Sequence, residues 1–134
     1  VTHTLVPHRD EFSETVGYII KGKKKTILFI PDIDKWGKWT HDIIDVLSKV
    51  DIAFIDGTFY DGTEINNRNI SEIPHPFIIE SMEKFKDLPA KEKNKIYFIH
   101  FNHTNPALNT ESEQTRNILK NGFHIARMNM VFEL

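Results

Sequence analysis

Short apolar runs separated by polar turns dominate the chain and predict a sheet. Residues 1–6 open with a strand-like stretch. Val16–Ile20 and Thr26–Ile30 are joined by the polar, glycine-containing segment Lys21–Lys25, which predicts a hairpin with a solvated turn. Ile52–Ile55 and Ile96–Ile99 are apolar throughout, as is typical of strands buried on both faces.

Three other stretches place apolar residues at helical spacing and predict three helices. They are Lys38–Val50, Pro76–Leu88 and Thr110–Asn121. The third begins with Thr-x-x-Glu, the pattern of a capping box, and Gly122 is expected to end it. Residues 57–74 predict a long loop, and residues 125–128 and 130–132 two short final strands. Strands that alternate with helices favour an α/β (α+β layered) fold, and the opening hairpin makes its sheet mixed.

Composition limits the classes of function. The 134 residues fit one domain, and 40% hydrophobic residues with ten Phe are enough for a core. The formal charge of −2 indicates neither a nucleic-acid nor a membrane partner, and no apolar run approaches the roughly 20 residues of a membrane span. No signal peptide is visible, so the expected location is cytoplasmic. Because the chain has no cysteine, a bound metal would need imidazole and carboxylate ligands.

Several polar residues follow apolar strands, where an α/β sheet binds its ligands. His8 precedes the strand at residues 16–20 by a short loop, Asp32 follows residues 28–30, and His100 follows residues 96–99. His103 is three residues further on, in a polar stretch rich in asparagine. Neutral histidine and aspartate are ligands that zinc, iron and manganese accept, so these residues predict a divalent-metal site.

Each of these residues also has an ordinary structural interpretation. His8 would be a surface-loop histidine, and Asp32 would cap a turn or the next helix. His75 lies between Pro74 and Pro76, and such rigid flanks also occur in plain turns. Trp36 and Trp39 are expected to cover the first helix against the sheet, with the alternative that one lines a substrate pocket beside Asp32.

The ordered segments resemble the C-terminal half of the coenzyme PQQ biosynthesis protein B group, in the metallo-β-lactamase superfamily. The likeness runs from about Val6 to Gly122. Five segments carry it: residues 6–18, 28–36, 56–59, 73–76 and 99–106. The superfamily fold is an αββα sandwich of two similar halves, so the resemblance implies that residues 1–134 form one half, with about three helices.

The resemblance also implies roles for the candidate residues. It places a metal-bridging aspartate at Asp32, the last metal-binding histidine at His100 and the first at His8. His103 is expected to bind the metal or to support His100. His75 is similar to the histidine that phosphodiesterases of the superfamily use near the leaving group, which implies a general acid or a transition-state stabiliser.

The superfamily's other ligands come from a His-x-His-x-Asp-His motif in the N-terminal half, and that motif does not occur in these residues. The Val1 start and the length predict a C-terminal fragment. We expect it to be inactive alone and to pair with its missing N-terminal half or with a second copy.

The leading functional hypothesis is a metal-dependent hydrolase in which metal-activated water attacks a phosphoester or acyl group of a small-molecule or peptide substrate. Zinc is the expected metal, with iron or manganese as alternatives. A second hypothesis is an iron-dependent oxygenase that hydroxylates a peptide tyrosine, as the PQQ group implies. A third is a non-catalytic binding module with an incomplete metal site.

Overall fold

One mixed sheet of six strands forms the centre of the molecule, which we describe from a computed structural model covering residues 1–9, 12–66 and 69–134. The strands lie side by side in chain order. They are β1 (Thr2–Val6), β2 (Thr15–Lys21), β3 (Thr26–Ile30), β4 (Ile52–Asp56), β5 (Ile96–Ile99) and β6 (His124–Ile125). Strands β1, β2 and β3 pair antiparallel, and β3 to β6 pair parallel. The predicted hairpin and mixed sheet are confirmed.

The described residues contain four α-helices, one more than predicted. They are α1 (Ile43–Leu47), α2 (Ile78–Lys84), α3 (Ala90–Lys93) and α4 (Glu113–Lys120). The helix predicted from Lys38 is much shorter, because the Asp42 side chain accepts a hydrogen bond from the Ile44 N–H and starts α1 there. Residues 36–38 form a separate 3₁₀ turn, and two more such turns interrupt the predicted loop at 62–64 and 70–72.

The last predicted elements also differ in detail. Ser112, not Thr110, caps α4, since its hydroxyl accepts the Thr115 N–H at 3.0 Å. Gly122 ends the helix as expected, in the left-handed region at φ 89°. The final strand covers only His124 and Ile125, which pair with Tyr97 and Phe98 of β5. The strands predicted at 125–128 and 130–132 are therefore wrong beyond Ile125.

The hydrophobic core lies between one face of the sheet and the helices. Alternate strand residues such as Leu28, Ile55 and Phe98 point into it and are fully buried. Trp36 and Trp39 belong to the same core, each 7% exposed, which confirms their predicted packing role. Their indole N–H groups donate to Ser81 Oγ and to the Leu5 carbonyl, both at 2.8 Å.

The opposite face of the sheet carries one row of aromatic side chains that crosses all six strands. Strand register places these residues next to one another: His3, Tyr18, Phe29, Phe54, Tyr97 and His124. Phe132 packs edge-on against both Phe54 and Tyr97, with ring centroids 5.1 Å away in each case. Tyr18 is nevertheless 39% exposed, so this aromatic face is only partly covered. Across the described ranges, no helix has the length and apolar character to cross a membrane.

Candidate metal centre

The candidate site lies at the edge of the sheet where four strands end. Strands β1 and β3 run in the same direction, since each pairs antiparallel with β2, and β4 and β5 run parallel to β3. Their carboxyl ends therefore meet at one edge. His8 follows β1, Asp32 follows β3, Asp56 ends β4, and His100 follows β5. The predicted gathering of these residues at one rim is what the strand directions produce.

Two groups of side chains at this edge have the spacing of metal ligands. In the described part of the chain, the first group consists of His8, Asp32 and His75. The second group consists of Asp32, Asp56 and His100. Within each group, one ligand atom per residue lies within 4.8 Å of the others. Asp32 belongs to both groups, which is the position that a carboxylate bridging two ions would occupy.

His8 and Asp32 approach each other as two ligands of one ion would. The His8 Nε2 and Asp32 Oδ1 atoms lie 2.8 Å apart, but Asp32 Oδ1 is buried without a hydrogen-bond partner among the described residues, and so is His8 Nδ1. The short contact therefore lacks the alignment of a hydrogen bond. Nitrogen and oxygen ligands at roughly 2.0–2.2 Å from one ion lie roughly 2.8–3.6 Å from each other, depending on the ligand angle, so this pair is at the short end of the spacing for a shared cation.

The backbone holds this pair together. The Asp34 N–H donates to the Pro7 carbonyl at 2.7 Å, which ties the turn after β3 to the loop that carries His8. Asp34 itself is anchored. Burial raises the pKa of its carboxyl, but hydrogen bonds from the Lys38 ammonium and the Lys35 N–H outweigh burial, so the pKa is lowered. These hydrogen bonds from Lys35 and Lys38 fix the Asp34 side chain in the turn that also carries Asp32.

Asp56 holds a different position. It is fully buried, and its two oxygens accept three hydrogen bonds from protein donors. Oδ1 accepts the Thr58 N–H at 2.8 Å, and Oδ2 accepts the Ile33 N–H at 3.1 Å and lies 2.8 Å from His75 Nδ1. Since an ionised carboxylate only accepts, His75 Nδ1 must carry the proton. Asp56 therefore orients His75, and leaves Nε2 as the nitrogen that can serve a metal or a substrate.

The same contact sets the protonation of His75. Burial of the imidazole lowers its pKa, but the Asp56 hydrogen bond and charge, with smaller effects of Asp32 and Asp34, outweigh burial, so the pKa is raised. A raised pKa keeps more of the imidazolium form near neutral pH, which is the form that donates a proton. Phe59 packs edge-on against the ring, with centroids 5.8 Å apart.

His100 is held in an unusual backbone conformation. Its φ is 63°, in the left-handed region that costs a non-glycine residue about 1–3 kcal/mol. This turn follows β5 directly and places His100 Nδ1 3.0 Å from Thr58 Oγ1. A strained residue at a cluster of ligands is consistent with a functional role.

A cleft of about 380 Å³ opens beside the site. His8, His75 and Arg9 line it together with an apolar wall of Phe59, Ile65, Ile73 and Pro74. A second cavity of about 310 Å³ shares Phe59 and Ile65 with the first and adds polar side chains, among them Asn66 and Asn102. Neither cavity is lined by Trp36 or Trp39, so the alternative of a tryptophan beside Asp32 gains no support from these two cavities.

The structure brings His8, Asp32, His75 and His100 together, as the sequence predicted. His103 is exposed and is a member of neither ligand group in the described residues, so its role as a ligand stays a prediction. Asp56 was missed, although it ends a buried strand between the strands that precede Asp32 and His100. Its place at the carboxyl end of β4 is the sequence signal that identifies it.

Comparison with known proteins agrees with this fold. The family model described as "Beta-lactamase superfamily domain" matches residues 1–101. Coenzyme PQQ synthesis protein B of Gluconobacter oxydans is 27% identical over 126 residues, which cover 90% of this chain and 40% of that protein. The protein of the same name from Acinetobacter baumannii (strain SDF) is 29% identical over 137 residues, which cover 96% of this chain and 44% of that protein.

A solved structure shares the fold. The crystal structure of Zn²⁺-bound PqqB from Methylobacterium extorquens matches 99% of this chain and 50% of its own chain, with a TM-score of 0.76 and 20% sequence identity. The chain thus spans less than half the length of the curated relatives it matches. With the family model covering three quarters of its residues, the chain belongs to the beta-lactamase superfamily, and it is similar over most of its length to coenzyme PQQ synthesis protein B.

Proposed function

We propose that the protein is a metal-dependent hydrolase in which His8, Asp32 and His100 hold divalent metal, with zinc as the preferred ion. The observation that carries this proposal is the 2.8 Å contact between His8 Nε2 and Asp32 Oδ1, in which the buried aspartate oxygen has no hydrogen-bond partner among the described residues. Without a cation, such a pair loses solvation and gains no hydrogen bond. When bound, the ion supplies Lewis acidity toward water and toward a phosphoester or acyl group.

His75 acts as the general acid in this proposal. Its Nδ1–H is held by Asp56, so its second nitrogen, Nε2, is the one that gives a proton to the leaving group. The raised pKa of His75 maintains the protonated form, and the negative charge of Asp56 balances the imidazolium. Proton transfer of this kind contributes about 10²–10⁴ in rate.

The cleft suggests the kind of substrate. Its apolar wall suits an aromatic or aliphatic group, and Arg9 attracts an anionic one. The polar second cavity can accept a hydrogen-bonding continuation of the same molecule. The relatives are named for coenzyme PQQ synthesis, so we place the substrate, a small molecule or a peptide, in the synthesis of a PQQ-type cofactor.

Oxygen chemistry is the second candidate. His8, Asp32 and His75 form a group of two histidines and one carboxylate, the ligand set of non-haem iron(II) oxygenases. In this alternative, iron replaces zinc and a peptide tyrosine is hydroxylated by dioxygen: one oxygen atom enters the ring, and the other is reduced to water with two electrons from an external reductant and two protons. Anaerobic loading with ferrous iron, followed by oxygen, separates the two reactions. Oxygen-dependent addition of one oxygen atom to a tyrosine peptide would favour the oxygenase, and hydrolysis without oxygen the hydrolase.

We further propose that additional polypeptide covers the aromatic face and completes the ligand set. The face spans six strands, and the curated relatives have more than half of their length outside the matched region. Exposed apolar areas of this kind mark interaction surfaces. The covering sheet would come from the protein's own N-terminal half or from a second copy. Light scattering that shows a clean 15.7 kDa monomer with no added partner would contradict this.

Metal analysis of the intact protein tests the proposal. We expect stoichiometric divalent metal in the wild type and its loss, with activity, in Asp32→Ala and His100→Ala. His41→Ala is the matched control, because it removes an exposed histidine that belongs to neither ligand group. The proposal is wrong if Asp32→Ala and His100→Ala both keep full metal content and activity.

A further inference from the structure

A buried asparagine joins the two loops that carry the edge of the site. Asn105 is 2% exposed. Its Nδ2 donates to the carbonyl of Gly57 at 2.7 Å and to that of Thr58 at 3.2 Å, and its Oδ1 accepts the Ala107 N–H at 2.9 Å. A buried amide with both of its ends bonded to backbone fixes the relative position of the segments it touches. Here these segments follow β4 and β5.

The backbone of the two loops is paired as well. The Gly57 N–H donates to Ile99 O at 2.8 Å, and the Asn102 N–H donates to Thr58 O at 2.9 Å. The approach is so close that a Cβ at Gly57 would meet Ile99 O and the Phe101 ring at 3.0 Å. Together with Asn105, these contacts form one rigid unit, which we call the loop clasp (residues 57–58 with 99–105).

The clasp places a hydroxyl against a candidate metal ligand. Thr58 is 7% exposed, and its Oγ1 lies 3.0 Å from His100 Nδ1. His100 has the left-handed backbone noted above. A histidine that binds metal usually donates its other ring N–H to a fixed acceptor, which selects the tautomer. The Thr58 oxygen is in the position of that acceptor.

We propose that Thr58 and Asn105 are positioning residues for His100. Thr58 accepts the Nδ1–H and leaves Nε2 to face the metal, while Asn105 holds the Thr58 segment in place. This proposal rests on the proposed function only in naming a metal as what Nε2 faces. The preferred tautomer of His100 is a property of the metal-free protein.

Three variants separate these roles from plain packing. Thr58→Val keeps the shape and removes the acceptor, and Thr58→Ser restores it. Asn105→Asp keeps the acceptor for Ala107 and removes the two donated hydrogen bonds. The matched control is Asn69→Asp, because Asn69 accepts the Ser71 N–H in a similar turn at an exposed position.

Nitrogen-15 chemical shifts of the His100 ring are read in metal-free protein at about pH 8, where an ordinary imidazole is neutral. We expect the Nδ1–H tautomer in the wild type, Thr58→Ser and Asn69→Asp, and a mixture in Thr58→Val and Asn105→Asp. Metal affinity, measured by competition with a chelator, should fall about 10- to 100-fold in Thr58→Val, the usual effect of losing such a partner.

The outcomes are distinct. In one outcome, the wild type binds no metal, but the His100 tautomer differs between the wild type and Thr58→Val. That result would refute the metal hypothesis and support the positioning role. A wild type with the Nε2–H tautomer, or a Thr58→Val protein with wild-type tautomer and metal affinity, would overturn the inference. Thr58→Val leaves all clasp hydrogen bonds in place, so it decides the question even if Asn105→Asp does not fold.

Discussion

Two aspartate–histidine pairs lie side by side in the candidate site. The distance within each pair is the same, but the burial and hydrogen bonding of the two carboxylates differ. His8 and Asp32 approach to 2.8 Å, and so do His75 and Asp56. In the second pair, the carboxylate accepts two further backbone hydrogen bonds and is fully buried. In the first pair, the contacting Asp32 oxygen is buried with no hydrogen-bond partner in the described residues.

This difference indicates that the His8–Asp32 pair is suited to binding a cation, whereas the His75–Asp56 pair is suited to orienting the His75 ring. Asp56 is complete without any ligand, so it stabilises the fold and directs His75. Asp32 is incomplete, so the free energy lost in burying its oxygen is recovered only when a cation or another donor arrives. A short distance between a histidine and an aspartate therefore does not identify a ligand. The number of hydrogen bonds that each oxygen already makes is the better guide.

Substitution of His75, the histidine that Asp56 orients, should give the largest effect, which is on the rate of hydrolysis. In metal-loaded protein, His75→Gln should lower hydrolysis of a phosphodiester with a poor alkyl leaving group about 10²- to 10⁴-fold, because no proton reaches the departing oxygen. Metal content should stay at the wild-type value. With p-nitrophenyl as the leaving group the loss should be much smaller, since that group departs without protonation. Equal losses for both substrates would exclude His75 as the general acid.

The two aspartates should differ strongly in stability. Asp56→Ala leaves the buried N–H groups of Ile33 and Thr58 unpaired, so the free energy of unfolding should fall by about 3 kcal/mol. Asp32→Ala removes an oxygen that makes no hydrogen bond in the described structure, only the misaligned contact with His8, and should cost less than about 1 kcal/mol in metal-free protein. Urea unfolding with chelator present measures both. A larger loss in Asp32→Ala would reverse the assignment of the two pairs.

Much of the fold follows from local patterns. The apolar residues at 26–30, 52–55 and 96–99 predict buried strands. The ends of these strands place Asp32 and His100 at one edge of the sheet. His8 reaches the same edge because two antiparallel pairings bring β1 into the direction of β3. The positions of Asp32 and His100 were therefore predictable from the strand ends, whereas that of His8 depends on how β1 and β2 pair.

The rest depends on contacts between residues far apart in the chain. Asp56 and His75 are separated by 19 positions and a loop without periodicity, so no local pattern joins them. The exact cap of α4 was decided by which hydroxyl reaches an N–H, and both Thr110 and Ser112 satisfy the composition rule. The hydrogen-bond state of the Asp32 oxygen, on which the proposed function rests, exists only in three dimensions.

The smallest expected effect is a pH dependence of the free energy of unfolding, which the His75–Asp56 pair should produce and the His8–Asp32 pair should not. The pKa of His75 is raised in the folded protein above its ordinary value of 6.5, and Asp56 is the chief cause that outweighs burial. A folded state that binds the proton more tightly is stabilised below the unfolded pKa. That stabilisation is lost as pH rises from about 6.5 through the folded-state pKa. His75→Gln keeps a hydrogen-bonding side chain but cannot titrate, so its metal-free stability should decline less over this range. Unfolding free energies measured at several pH values with chelator present provide the comparison. Parallel curves for wild type and His75→Gln would show that the contact with Asp56 does not favour the imidazolium, and His75 would then lack the protonation that its proposed role requires.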